Sequence, residues 1–322
     1  MFRKFQYISI ITCIAANAAL CIGHILGRWS ETADAINNFS PLIMGIAASS
    51  AVIALLRSGM AMRVILIAAL VAGFASGLSR IRGEYAATPP QGAIRPDTPL
   101  LRLLTHNVLV GNRDVRATVA AIARSGADIV LLQETDGNLR GALPALAAIY
   151  PYGSPCEHRC SLKILSKRPL IQTRYRLRTA AGAAIGPPLI WATTTAPDGR
   201  PVTVVSLHYP WPVPAGAQQR QRDALVQALG RIDTGDLILA GDMNLTPWTH
   251  AMQRQDAGMR PMARITRAAW SFPARLGAWR WPVAVLPIDH IYTGTGWRTV
   301  SVRTLPATGS DHLPVLATLE RR

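Results

Sequence analysis

Short groups of acids, amides and histidines recur along the second two-thirds of this chain, each at the end of an apolar run. They read THN (105–107), LLQET (131–135), SLHYP (206–210), AGDMN (240–244), PIDH (287–290) and GSDH (309–312). In this order and spacing they indicate a divalent-metal site that hydrolyses a phosphate ester. A hard cation such as Mg²⁺ takes oxygen ligands from one or two carboxylates and from the substrate's own phosphate. Glu134, after the strand-like ADIVLLQ, is the best single candidate ligand.

The first quarter of the chain is more apolar than an ordinary soluble enzyme. Hydrophobic residues make up 49% of the whole sequence, and its mean hydropathy is +0.20. The excess lies in three uncharged segments, 5–26, 41–56 and 64–78. The first is as long as a bilayer core requires. A buried two-helix hairpin is the alternative, but no long amphipathic partner follows to cover it. We therefore predict a membrane region at 1–83 with about three transmembrane helices.

Charges flanking these segments predict their orientation. Arg3 and Lys4 precede the first segment, and Arg57 and Arg63 lie in the second loop. The first loop (27–40) instead holds one Arg against Glu31 and Asp34. Because cytoplasmic loops are enriched in Lys and Arg, we predict a multi-pass protein of the inner (plasma) membrane whose catalytic domain faces the outside or periplasm. Arg80 and Arg82 favour the opposite orientation, but long domains translocate largely regardless of charge. An A-x-A-like site in the first segment offers an alternative, a cleaved signal peptide, which leaves two spans and the same placement.

A linker and one large domain follow. Residues 84–99 are rich in proline and small polar residues and show no apolar period, which predicts a linker. From residue 100 to 322, apolar runs alternate with amphipathic stretches, the pattern of an α/β domain. Helices are predicted at Val115–Ile122 and at 215–230, the latter with Leu225 and Leu229 inward. Strands are predicted at 100–106, 127–133, 161–166, 188–195, 201–208, 236–241, 286–292 and 312–319.

The charge of this domain indicates anionic partners. Residues 96–322 hold 26 Lys and Arg against 15 Asp and Glu, a net charge of +11, and nearly all of the cations are Arg. Arginine is well suited to bidentate phosphate recognition, so anionic lipid and nucleic acid both fit. A solvated surface without a specific partner explains much of the same charge. Charge alone does not choose between lipid and nucleic acid.

The cysteines bear on the compartment. Cys13 and Cys21 lie in the first apolar segment, where packing explains them. Cys156 and Cys160 flank the tripeptide EHR in a loop, and an oxidising compartment permits a disulfide between them. Free thiols and a zinc site that uses His158 are the alternatives, although no fourth zinc ligand is visible. We favour the disulfide.

The order N…QE…H…GDxN…DH…SDH resembles that of the endonuclease/exonuclease/phosphatase superfamily, which includes DNase I-like nucleases, neutral sphingomyelinases and inositol polyphosphate phosphatases. The resemblance covers residues ~100–320. The preceding apolar segments and GDMNLTPW (241–248) look most like a bacterial membrane-anchored branch. This resemblance implies a four-layer α/β sandwich of two packed mixed β-sheets (DNase I-like), preceded here by transmembrane helices. It also implies a metal-dependent phosphoric ester hydrolase whose cofactor is Mg²⁺ or Mn²⁺.

The resemblance assigns ligands and catalytic residues one by one. Glu134 matches the metal-binding glutamate, Asn107 the asparagine beside metal and phosphate, and Asp311 an acid that helps position the metal or water. Asp242 matches the acid that orients or deprotonates the attacking water, and Asn244 the amide that binds a phosphate oxygen.

Three further residues complete this set. His312 matches the histidine at the scissile phosphate, and Asp289 the acid that hydrogen-bonds this histidine and raises its pKa. His208 matches a histidine that assists the leaving group in some branches. His106 and His290 adjoin motif residues on predicted strands, so side-chain alternation points them away from the site.

The substrate stays open because folds and motifs of this kind serve DNA, sugar phosphates and lipid head groups alike. Our first hypothesis is a membrane-anchored phosphatase or phosphodiesterase that acts on lipid-linked or head-group phosphates, since a short linker keeps the site near the lipid bilayer. The alternative is an extracytoplasmic nuclease that acts on DNA. A non-enzymatic module would require a decayed site, and the set is intact. We predict no protein partner.

Overall fold

The computed structural model describes residues 2–86, 98–155, 161–174, 177–178, 183–185 and 188–322. The chain divides into two compact units. The first comprises residues 1–87 together with 212–216 and 245–254, and the second comprises 88–211, 217–244 and 255–322. Cys156, His158 and Cys160 lie outside the described residues, and so does most of the predicted linker.

Four helices form the main part of the first unit. They are α1 (Phe2–Leu26), α2 (Glu31–Asn37), α3 (Ser40–Leu55) and α4 (Met60–Ala86). The apolar side chains of Cys13, Ala51, Ala54 and Leu66 pack together between α1, α3 and α4. Asn17 in α1 is buried against α4. Its side-chain oxygen lies so close to Gly73 that a Cβ at that position would be only 2.1 Å away, so the contact requires glycine. The apolar segments are thus helical, as predicted.

Two of these helices are long and apolar enough to cross a membrane, and the count rises to three if α2 and α3 form one broken span. The two long spans are Lys4–Leu26 and Met60–Tyr85, while α2 and α3 are bent by 63° at the break between them. The loop predicted at 27–40 contains α2, whose N-terminus is capped by the Ser30 hydroxyl. The predicted linker start at residue 84 lies inside α4, which continues to Ala86.

The second unit contains two six-stranded mixed sheets. The first has the order β15-β16-β1-β2-β4-β3 and the second β11-β14-β10-β9-β8-β5. Their strands are β1 (Leu100–Asn107), β2 (Ile129–Gln133), β3 (Tyr152–Gly153), β4 (Leu162–Ser166), β5 (Ile171–Arg174), β8 (Leu189–Thr195), β9 (Pro201–His208), β10 (Leu237–Asp242), β11 (Ala263–Arg264), β14 (Asp289–Thr293), β15 (Trp297–Thr304) and β16 (Val315–Arg321). Two small hairpins pair β6 (Leu177–Arg178) with β7 (Ala184–Ile185) and β12 (Arg275–Leu276) with β13 (Trp279–Arg280).

The two sheets pack face to face through a core of aliphatic side chains. Leu103 and Leu131 from the first sheet belong to the same buried cluster as Val204, Ile238 and Ile291 from the second. Each of these side chains is almost fully buried, so the hydrophobic effect holds the two layers together. The predicted sandwich of two packed mixed sheets is confirmed.

Each sheet has one parallel pair at its centre, formed by a strand–helix–strand crossover. In the first sheet α5 (Val115–Arg124) connects β1 to β2, and in the second α6 (Ala217–Leu229) connects β9 to β10. The outer face of the first sheet also meets a 3-10 helix at Arg140–Leu146. A last helix, α7 (His250–Gly258), follows β10. Both predicted helices are confirmed, and Leu225 and Leu229 are buried as expected.

Candidate active site

The polar motif residues lie at the carboxyl ends of the two central parallel pairs. Asn107 ends β1 and Glu134 directly follows β2, while His208 ends β9 and Asp242 ends β10. Asp242 pairs in register with His208 and with Asp289. Carboxyl ends of parallel strands meet at one edge of a sheet, which is where α/β proteins bind ligands. The packing of the two sheets therefore brings four motifs from distant parts of the sequence to one place.

The strand ends adopt backbone conformations that serve the site. Glu134 and Asn244 have positive φ angles of 60° and 49°, a left-handed conformation that is uncommon for residues other than glycine. Such strain persists where surrounding structure fixes it, and it clusters at active sites. Before Asp242, Gly241 leaves room for β9, because a Cβ there would lie 1.8 Å from the Leu207 carbonyl oxygen.

Asp242 lies at the centre of the site. Its Oδ2 accepts hydrogen bonds from the side-chain amides of Asn107 at 3.0 Å and Asn244 at 3.4 Å. The Nε2 atoms of His208 and His312 lie 3.5 Å and 3.7 Å from the same oxygen. Asp242 is buried, and this burial raises the pKa of its carboxyl, an effect opposed by the charge of His312. A carboxylate with a raised pKa is suited to accept a proton from water.

His312 is held by a buried carboxylate. Its Nδ1 lies 2.8 Å from Oδ2 of Asp289, which is fully buried. Burial alone would lower the pKa of His312, but the charges of Asp289 and Asp242 and the hydrogen bond to Asp289 raise it to about 10. Burial alone would likewise raise the pKa of Asp289, yet the charge and hydrogen bond of His312 keep it below its usual range. The pair is therefore imidazolium and carboxylate at neutral pH.

Glu134 and Asp311 are the partly exposed carboxylates of the site. Glu134 accepts hydrogen bonds from the Asn107 amide at 2.8 Å and from the Val110 backbone at 2.9 Å, and its side chain remains 23% exposed. Burial raises the pKa of Asp311; His312 opposes this increase, and the negative charge of Glu134 adds to it. Two carboxylates that repel each other here form the hard-oxygen environment that Mg²⁺ or Mn²⁺ prefers. The donor set therefore fits a divalent metal.

A second acidic group lies deeper. Single ligand atoms of Asp242, Asp289 and His312 all lie within 4.8 Å of one another. A histidine must be neutral to bind a metal, whereas the pKa of His312 is raised to about 10. In the structure this group therefore holds a proton between two carboxylates. The ligand roles of Asn107, Glu134 and Asp311 remain predictions, and Asn107 here turns its Oδ1 toward the Leu109 backbone N–H, which donates to it at 3.0 Å.

Several supporting residues were not predicted. Ser310 donates to the Asn107 carbonyl at 2.7 Å and accepts from the His312 backbone at 3.0 Å, so it connects two motifs. Gln133 donates to Ser206 across the sandwich at 3.1 Å, directly beneath the site. The Phe272 ring packs on the His312 ring with centroids 4.9 Å apart. Ser310 and Gln133 stand inside the quoted motifs, and Phe272 stands in the Pro- and Trp-rich stretch 270–283, which its composition marks as an apolar rim beside the motifs.

The two histidines left out of the site are buried elsewhere. His106 Nε2 lies 3.1 Å from the Thr308 hydroxyl, and His290 Nδ1 lies 3.1 Å from the Thr266 hydroxyl. Burial lowers the pKa of His106 to about 3, so this ring is neutral. Both side chains are fully buried and make structural hydrogen bonds.

Two packed mixed sheets that bring acids, amides and a carboxylate-bound imidazolium together at one edge form the arrangement expected of a phosphoester hydrolase. The chain belongs to the Endonuclease/Exonuclease/phosphatase family, whose model matches residues 104–312. Members of this family hydrolyse phosphoester bonds and generally use divalent metals. A comparison with curated protein sequences gave no match.

Solved structures share the fold at low sequence identity. An endonuclease/exonuclease/phosphatase from Bacteroides vulgatus is 18% identical with a TM-score of 0.56, and the match covers 70% of this chain and 100% of that one. The human Nocturnin catalytic domain with bound sulfate is 19% identical with a TM-score of 0.53, covering 73% and 100%. TDP2 of D. rerio, complexed with single-strand DNA product, is 16% identical with a TM-score of 0.54, covering 69% and 99%. These similarities support the fold.

Proposed function

We propose that the protein is a membrane-anchored, metal-dependent phosphoesterase whose catalytic domain lies outside the cytoplasm and acts on lipid-linked or head-group phosphates. The observation that carries the catalytic part is the position of Asp242. Its Oδ2 lies within 3.7 Å of two histidines and two amides, so a water-orienting carboxylate, a cation and phosphate-binding amides converge on one point.

The chemistry is a direct displacement by water. Asp242 orients a water molecule and accepts its proton while the water oxygen bonds to phosphorus and the bond to the leaving oxygen breaks. His312 is charged and, with Asn244, donates hydrogen bonds to the phosphoryl oxygens where negative charge develops. His208, whose side chain is 25% exposed, faces the solvent side and gives a proton to the leaving oxygen. A divalent ion held by Glu134, Asp311 and Asn107 would withdraw charge from the phosphate.

Contacts within the first unit support three spans. The Asp34 carboxylate in α2 accepts hydrogen bonds from the backbone of His250 and Ala251 at 2.8 Å and 2.7 Å. The first loop and residues 245–254 therefore lie on the same side of the membrane. Because 245–254 comes after α4 in the chain, α3 and α4 must both cross or neither does, and α4 is long and apolar enough to cross. The flanking charges favour the outside for this loop and for the catalytic residues that follow α4 in the chain.

An exposed hairpin beside the site supports a lipid substrate. The segment that begins with Phe272, on the His312 ring, continues into β12 and β13 and turns at Gly277, which has a φ of 61°. Its large apolar side chains face solvent: Leu276 49%, Trp279 80%, Trp281 44% and Val283 63% exposed. Arg275 and Arg280 provide positive charge on the same strands. Exposed tryptophan together with arginine suits the interface between head groups and acyl chains.

A substrate panel tests this proposal. The full chain in vesicles of phosphatidylcholine and phosphatidylglycerol is given lipid-linked pyrophosphate, choline phospholipid or plasmid DNA, with Mg²⁺ or Mn²⁺ and with EDTA controls. We expect metal-dependent release of head-group phosphate. Trp279→Ser should lower turnover on vesicles without changing that of a water-soluble ester, whereas Ile232→Ser, an exposed apolar residue of the same domain, should change neither.

A nuclease is the second candidate because the +11 charge of residues 96–322 is mostly arginine, and phosphate backbones bind such surfaces without a sequence motif. Nicking of DNA at moderate salt, with the lipids untouched, would overturn the lipid assignment in favour of the nuclease. In that case the membrane helices would serve only to anchor the protein.

A further inference from the structure

The chain segment that follows the catalytic GDMN motif belongs to the same compact unit as the N-terminal helices. Leu245 directly follows Asn244, and residues 245–254 lie with α1–α4 in the first unit. Thr246, Trp248 and Thr249 are each at most 1% exposed there. The first unit therefore includes the segment that directly follows Asp242 and Asn244, two of the proposed catalytic residues.

Side chains of the first loop hold this segment through its backbone. Asn38 Oδ1 accepts from the Thr246 backbone at 2.8 Å and from its hydroxyl at 3.2 Å. The two oxygens of Asp34 accept from the backbone of His250 and Ala251, the first residues of α7, and so cap this helix from a position 216 residues earlier. Asn37 donates to the Asp34 carboxylate at 2.8 Å and fixes its orientation.

A third anchor comes from the fourth helix. Arg80 Nη1 donates to the Trp248 carbonyl at 2.7 Å, and its Nη2 contacts the His250 ring. Asp34 and Asn38 are themselves almost completely buried. Buried polar groups with direct partners hold a segment in one arrangement, because moving it would leave them unsatisfied.

We propose that Asp34 and Asn38 are positioning residues for catalysis. Asn244 has a φ of 49°, a left-handed conformation that the structure around the residue maintains. Strand β10 fixes the upstream flank through its pairing with β9 and β14. The first loop fixes the downstream flank at Thr246, two residues beyond Asn244. The first loop then positions Asn244 through the backbone that connects Asn244 to Thr246.

This inference rests on the proposed hydrolase function and is tested with the full chain in detergent. The variants are Asp34→Ala, Asp34→Asn and Asn38→Ala. Gln6→Ala is the matched control, since Gln6 also makes one side-chain bond inside the membrane region, to the Arg57 carbonyl at 2.6 Å. Two readouts are collected, the steady-state hydrolysis of bis(4-nitrophenyl) phosphate with Mn²⁺ and amide hydrogen exchange of residues 242–251.

We expect both alanine variants to lower kcat at least tenfold with KM within twofold, because a misplacement of about 1 Å can reduce rates by about 100-fold. Amide exchange at 243–249 should accelerate at least tenfold in the same variants. Asp34→Asn should have an intermediate effect, since its single amide oxygen can accept only one of the two backbone N–H groups that Asp34 accepts, and Gln6→Ala should match wild type in both readouts.

Two outcomes would overturn the inference. One is wild-type kcat and exchange in both alanine variants. The other is a loss of activity that Gln6→Ala shares with the two alanine variants in proportion to their melting temperatures, which marks a general folding effect. If the wild type hydrolyses no ester, the proposed function fails, and exchange at 243–249 still decides whether the first loop holds the segment.

Discussion

Replacing Asp289 by asparagine isolates the contribution of the carboxylate behind His312. The two side chains have nearly the same volume, so the substitution removes the negative charge without opening a cavity. Asp289 is fully buried, and its Oδ2 lies 2.8 Å from His312 Nδ1. The neighbouring Asp242 remains 3.7 Å from His312 Nε2, so the imidazole keeps one acidic neighbour but loses the partner that orients it.

The size of the effect follows from this single bond. A hydrogen bond to a charged group contributes about 1.5–3 kcal/mol. If His312 donates to the phosphoryl oxygens mainly in the transition state, that energy is lost from the barrier. At about 1.4 kcal/mol for each factor of ten, kcat should fall roughly ten- to 150-fold. KM should change little, because the lost interaction belongs to the transition state.

The assay is steady-state hydrolysis of bis(4-nitrophenyl) phosphate by the full chain at saturating metal. Asp233→Asn is the control, because Asp233 is an exposed acid of the same unit that only caps the Gly235 backbone at 2.8 Å. A kcat within twofold of wild type in Asp289→Asn would refute the role assigned to His312. A raised KM with unchanged kcat would show instead that His312 binds the ground state.

Three further predictions concern the metal, stability and topology. Glu134→Ala should abolish metal-dependent hydrolysis and leave the melting temperature unchanged. Full activity of this variant would show that the metal does not bind at Glu134. Asp256→Ala should lower the free energy of unfolding by about 3 kcal/mol, because the Arg264 side chain is 1% exposed and would lose the carboxylate that lies 2.9 Å from it. Lys167→Ala, which breaks a more exposed ion pair, should lower it by less than about 1 kcal/mol. Burial alone would raise the pKa of Asp256, but Arg264 lowers it below its usual value. The ion pair therefore stabilises the fold above pH about 3.9, and this stabilisation is lost as the pH falls through the lower folded pKa. Chemical denaturation at several pH values measures this loss. A reporter fused after Arg322 should be active only outside the cytoplasm, and cytoplasmic activity would reverse the orientation.

Local pattern predicted the interior of the fold well. All eight predicted strands are present, because apolar runs such as 100–106 and 127–133 become central strands buried in the sandwich. Strand β15 was not predicted, because it lies at a sheet edge where few of its side chains are buried and its sequence therefore has no apolar run. Helix α4 continues past the apolar segment because its polar end, including Arg80, makes contacts inside the first unit.

The site could be predicted only in part. Its catalytic residues are marked by type and by position after apolar runs, and the structure brings Asn107, Glu134, Asp242 and His312 together. The supports are not marked in this way. Phe272 precedes a hairpin without apolar alternation, and its contact with His312 depends on tertiary packing. Sequence spacing therefore identifies the reacting groups better than the groups that hold them.

The first loop shows the same limit in a stronger form. In the sequence alone, Asp34 is only a charge that bears on membrane orientation. Ser30 before Glu31 is a residue type that strongly favours the start of a helix, but it does not predict what that helix contacts. In the structure Ser30 caps α2, and α2 presents Asp34 to the start of α7. No pattern within 30 residues could connect Asp34 with His250, because the connection exists only once the helices have packed. An acid that follows a long apolar helix can thus bind the backbone of a segment more than 200 residues later in the chain.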